Sequence, residues 1–168
     1  DTELNYLTVV SPSTTENHPP PIGAYVMAWH LDRMFVADAT TLYWSKKKKP
    51  ENFNSGVDNT PVSADDGQKM TGLVSMGDPA SGTAFLCVMK EGSLYGLYGT
   101  EPENWELRPI AQGSGMGNAS LRGWTKADDI LWFWCKPCGL VKFDGVSVPS
   151  PVAVIPLASV LTPDVLAY

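Results

Sequence analysis

The sequence predicts an all-β fold of antiparallel meander repeats, and three observations carry that expectation. Short β-prone runs, Ala24–Trp29, Arg33–Ala37 and Thr41–Ser45, are separated by turn residues. The 168 residues include 15 glycines and 14 prolines, which interrupt helices, while hydrophobic residues reach 43% and leave enough apolar material for a core. Finally, Pro50-Glu51-Asn52-Phe53 recurs as Pro102-Glu103-Asn104-Trp105 at an offset of 52, and the same offset carries Leu42-Tyr43 onto Leu94-Tyr95. A looser third copy aligns Leu94–Gly99 with Leu140–Gly145 at an offset of 46.

Taken in order, residues 1–21 read as a Pro-rich linker or arm. Ser11 to Pro21 has no hydrophobic period, and Pro19, Pro20 and Pro21 favour an extended polyproline stretch. Residues 22–148 hold the repeats, ending in the strongly apolar Ile130–Trp134 and the hairpin that follows. Repeats of this length made of short strands are expected to be β-propeller blades, about three of them. One blade cannot cover its own apolar faces, whereas stacked blades bury both. Three is fewer than the roughly four to eight that close a ring, so either the chain is part of a larger ring or copies complete one another. Residues 149–168 read as a C-terminal extension: an extended Val152–Ile155, then a short helix capped by Thr162, with Pro163 at its first position and Asp164 favourable to the dipole.

Charge and cysteine usage narrow the partners. A net charge of -6 disfavours general phosphate neutralisation, so nucleic-acid contact is expected to be incidental at most. Lys46, Lys47, Lys48 and Lys49 form the one basic run; it reads as a solvated turn, and as the candidate contact with an acidic partner. Three cysteines cannot all pair within one chain, which points to a reducing compartment rather than a disulfide scaffold. No apolar stretch approaches the about 20 residues a membrane span requires. The chain opens at Asp1 on a polar segment, which reads as lacking a signal peptide and as a fragment or processed product.

No motif supplies a catalytic constellation. Cys135-Lys136-Pro137-Cys138 precedes a strand rather than a helix, which removes the dipole a redox dithiol uses, and no second pair completes a zinc site; it reads as two thiols flanking a hairpin turn. In Ser63–Met70, which is similar to the Asp-box hairpin of sialidase-like propellers, Asp65 is expected to hold the turn's backbone amides and Gly67 to take a positive φ. Asp128-Asp129 reads as a turn, His18 and His30 lack a nearby nucleophile signature, and Gly113–Gly117 lacks the Lys-Ser/Thr of a phosphate loop and reads as an inter-blade loop. Hence no enzyme, cofactor or metal is expected. Trp124, Trp132 and Trp134 are expected chiefly in the core, with a glycan platform as the alternative; Trp132 and Trp134 must share a strand face.

The ordered segments Arg33–Ala37, Tyr43-Trp44-Ser45 and Pro50–Phe53, then Leu86–Lys90, Ser93–Leu97 with Gly99, and lastly Gly139–Gly145, resemble the blades of propeller-type structural proteins of tailed-bacteriophage tails, nozzles and necks. The likeness covers about residues 22 to 145, although such proteins are generally much longer. It implies a virion subunit, assembled in the host cytoplasm, that contacts other virion proteins and its own copies in an oligomer or ring. It transfers no catalytic residue. The alternative is a carbohydrate-binding, receptor-recognising propeller module.

Overall fold

The computed structural model describes residues 18–77, 82–111 and 115–152. Its strands run Val26–His30 (β1), Arg33–Ala37 (β2), Thr41–Lys46 (β3), Lys49–Phe53 (β4) and Asn59–Pro61 (β5) in a first sheet. Met70–Met76 (β6), Phe85–Lys90 (β7), Leu94–Tyr98 (β8) and Glu106–Ala111 (β9) form a second, and Trp124–Ala127 (β10), Ile130–Cys135 (β11), Gly139–Phe143 (β12) and Ser150–Pro151 (β13) a third. All pairings are antiparallel between neighbours, and the three sheets do not close into a barrel among the described residues.

Turn chemistry fixes these meanders. Leu31 and Asp32 between β1 and β2, and Asp128 and Asp129 between β10 and β11, all have positive φ, the two-residue geometry whose twist suits a hairpin. Asp38 holds the next turn, its Oδ1 accepting the amides of Thr40 and Thr41 at 2.9 and 2.8 Å. In the first sheet the last strand is split: β4 pairs with the end of β3, and β5 with its beginning. Every last strand carries a proline: Pro50 in β4, Pro61 in β5, Pro109 in β9 and Pro151 in β13.

Alternation decides which residues face which sheet. Leu73, Leu86, Val88, Tyr95 and Leu97 of the second sheet meet Phe35, Ala37, Leu42 and Trp44 of the first in one buried cluster. On its opposite face, Val74, Met76, Phe85, Cys87, Met89 and Leu94 meet Leu131, Phe133, Cys135, Val141 and Phe143 of the third. Each fully buried Leu, Val or Phe contributes about 1.5–3 kcal/mol, so the second sheet depends on both neighbours.

Two expectations from the repeat divide here. Leu42, Leu94 and Leu140 all lie in third strands, as the offsets of 52 and 46 require. The two Pro-Glu-Asn-aromatic segments, however, are not equivalent: Pro50–Phe53 is in strand β4, whereas Pro102–Asn104 is a 3-10 turn leading into β9. In the second segment Asn104 Oδ1 accepts the amides of Thr100 and Glu101, both at 3.0 Å, and the Asn104 amide donates to Glu101 O, which closes the turn, whereas Asn52 is buried in the strand.

The Ser63–Gly67 connection is a turn with Gly67 at φ 68, as anticipated, but Asp66 rather than Asp65 holds it. Asp66 Oδ1 accepts the Gln68 amide at 2.9 Å and the Lys90 ammonium at 2.7 Å. Ser150–Pro151 completes the third sheet against β12, and the anticipated helix after Thr162 lies outside the described residues, as do residues 1–17 of the N-terminal arm.

Candidate functional site

The basic run folds as the β3–β4 hairpin turn. Lys48 takes φ 60 there, and its amide donates to Asp32 O at 2.6 Å. Lys47 pairs with Glu101, which also accepts from Arg33 at 2.9 Å. Arg33 in turn donates to Ser45 O at 3.1 Å and lies over the Trp105 ring at 5.7 Å. Hydrogen bonds from Lys47 and then Arg33 hold the Glu101 carboxyl below its usual range. All four lysines are exposed, and Lys47 ties the first sheet to the β8–β9 turn.

The three tryptophans separate. Trp124 packs inward, partly buried between the second and third sheets; a Cβ on Gly72 would lie 2.6 Å from its indole nitrogen. Trp132 and Trp134 share the opposite, outer face of the third sheet, because Leu131, Phe133 and Cys135 between them point into the core. Trp134 is 49% exposed, and Leu140 stands beside it on β12.

The first sheet presents a matching outer face that no sequence motif marks. Met27 is 68% exposed and Trp29 48%, in register with Val36 and Met34 on β2, and Tyr43 completes the Val36 rung. The signal was present in the alternation of Tyr25, Met27 and Trp29 with the smaller Ala24, Val26 and Ala28. Two apolar faces thus lie at opposite ends of the stack of three sheets.

Groups with chemical potential are otherwise engaged. His30 Nδ1 is 2.8 Å from Ser75 Oγ at the seam between the first two sheets, but the ring is 2% exposed and Nε2 has no hydrogen-bond partner among the described residues. The pair is buried, and among the described residues the hydrogen bond of the ring is to Ser75 rather than to a carboxylate. Cys135 and Cys138 do flank the β11–β12 turn, bonded as a disulfide with Cα atoms 5.2 Å apart rather than as two thiols. Burial pushes the remaining thiol, Cys87, up to about 12. An open cleft of about 360 Å³ lies where the first strands begin, lined by Tyr25, Lys69, Met70, Thr71, Glu91 and Leu121. Burial raises the Tyr25 phenol, which donates to Met70 O at 3.0 Å. Among the described residues no cluster of three metal-ligating side chains forms, and no helix is long and apolar enough to cross a membrane.

Comparison with known protein families and with curated proteins finds no match to this chain.

Proposed function

We propose that this chain is a non-catalytic structural subunit of a phage virion, in its tail, nozzle or neck, and that it works through subunit contacts made by propeller-like blades. The observation that carries the reading is the pair of apolar end faces, Met27-Trp29-Tyr43 and Trp132-Trp134-Leu140, on a stack whose middle sheet is covered on both sides. Soluble monomers rarely leave such contiguous patches bare, and aromatic residues and methionine are the ones enriched at interfaces. Labelled antibody against the chain, imaged on native particles by negative stain, is expected to decorate one fixed position near the tail. Absence of the chain from every particle fraction would reject the assignment.

A second reading is favoured by the half-exposed Trp134 beside Trp132: a platform on which a sugar ring stacks in receptor recognition. A glycan array separates the two. Saturable binding that Trp134→Ala weakens supports the platform, and a blank array leaves the face to protein partners.

A further inference from the structure

Pairing register aligns the three sheets rung by rung. Met27, Val36 and Tyr43 lie abreast on β1, β2 and β3. The equivalent rung of the second sheet is Leu73, Val88 and Tyr95, and that of the third is Trp124, Phe133 and Val141. The sequence repeat selects the same alignment independently, because the offset of 52 carries Tyr43 onto Tyr95 and the offset of 46 carries Tyr95 onto Val141. In the second sheet this rung is buried against the first, and in the third it is packed against the second. In the first sheet no other sheet precedes it among the described residues: Val36 is buried within the rung, while Met27 is left 68% exposed.

The neighbouring rung points the other way. Val26, Ala37 and Leu42 pack toward the second sheet; Met89 and Leu94, paired beside Gly72, pack toward the third. Its counterpart in the third sheet is Trp134 with Leu140, which has no following sheet to meet among the described residues. Each sheet therefore has a leading face that accepts the sheet before it and a trailing face that accepts the sheet after it. One of each is left over.

The leftover faces are of the two kinds that mate at both internal junctions. We propose that a second copy of this chain docks head to tail: the leading face of its first sheet, with Met27, Trp29 and Tyr43, stacks on the trailing face of the third sheet, with Trp132, Trp134 and Leu140. The contact continues the packing mode already formed twice within the chain. It is heterologous, joining two different patches, so it closes a ring when the rotation permits. Two copies would assemble six sheets, inside the range of about four to eight that close around an axis. This rests on the reading of the chain as a subunit-contact scaffold, and specifies which surfaces make the contact.

Complementation in the full chain tests it. Met27→Asp spoils only the leading face and Trp134→Asp only the trailing face, both at exposed positions that leave the buried clusters intact; far-UV circular dichroism checks the fold, with Trp29→Asp and Leu140→Asp as substitutes. By sedimentation velocity the unaltered chain is expected at twice the 18.2 kDa chain mass or a higher multiple. Each variant alone should weaken association by at least about 30-fold and run as single chains. An equimolar mixture should recover pairs, because one intact leading face then meets one intact trailing face. Single chains throughout for the unaltered protein, an unchanged mass for either variant, or a mixture that stays as single chains would each overturn the proposal. The second result also describes like-to-like pairing, and the first describes a face covered by the chain's own residues 153–168. Particles that contain the chain while the mixture fails to pair would sink the face assignment and spare the scaffold reading; pairing without any particle would do the opposite.

Discussion

Replacing Lys90 by Met tests how the first two sheets are locked together. Lys90 is the last residue of β7 and is 0% exposed, yet its ammonium is fully engaged: it donates to Val62 O at 2.7 Å, Ser63 O at 2.9 Å and Asp66 Oδ1 at 2.7 Å. All three acceptors lie on the connection between the first and second sheets, so one side chain pins that crossing. Methionine matches the length and removes the cost of burying a charge, but strands two carbonyls and a carboxylate. Breaking a buried pair costs about 3–5 kcal/mol, and each stranded acceptor about 1–3. The Asp66 side chain is 24% exposed and regains water, which removes its share. The two carbonyls then set the loss at about 2–6 kcal/mol, or a Tm lowered by roughly 5–25 °C for a chain of this size. Urea unfolding followed by tryptophan fluorescence measures it, and Lys90→Met with Asp66→Asn completes a double-mutant cycle whose coupling should exceed about 1 kcal/mol. A single-variant loss below about 0.5 kcal/mol would show that the crossing is held by apolar packing, refuting the argument.

Gly117→Ala should be severe, about 3 kcal/mol or failure to fold, because a Cβ there would stand 2.3 Å from Lys90 O and Ser93 N, both backbone; unchanged thermal unfolding would contradict it. Burial pushes His30 down to about 4 from 6.5, so the unfolded chain takes up this proton first, and stability is lost as pH falls from about 6.5 through 4. The loss attributable to it is about 3 kcal/mol, measured as the difference between the unaltered chain and His30→Gln in urea unfolding at pH 7 and pH 4; parallel pH slopes would exclude it. Reducing the Cys135–Cys138 disulfide opens a very short loop, so loop-closure entropy limits the cost to about 2 kcal/mol. Iodoacetamide should then label Cys138 in the native state while Cys87 and Cys135, both buried, stay protected, and rapid labelling of Cys87 would argue against its burial.

Much of the fold was legible because strands announce themselves locally. The Ile130–Trp134 run, the positive-φ pair at Asp128 and Asp129, and the recurrence of Leu42 at Leu94 and Leu140 are short-range signals, and each marks the element it suggested. Pro50–Phe53 misled because Pro-Glu-Asn followed by an aromatic residue folds two ways: in the second segment the Asn104 side chain holds a 3-10 turn, and in the first the same three residues lie in a strand. Asp65 and Asp66 are adjacent carboxylates, and only the distant Lys90 chooses between them, which no local window shows. The separation of Trp124 from Trp132 and Trp134 depends likewise on which strand face meets the second sheet. The Met27 face was visible as alternation, but alternation alone does not say which side of a sheet is bare.

The prolines in β4, β5, β9 and β13 have a consequence for how copies can meet. A strand bearing proline lacks an amide donor at that position and makes a poor template for another strand, so sideways growth by backbone zippering is discouraged along the outermost strand of all three sheets. Apolar contact between copies is thereby steered away from fibril-like addition and toward flat stacking, in which side chains rather than main-chain amides recognise the neighbour.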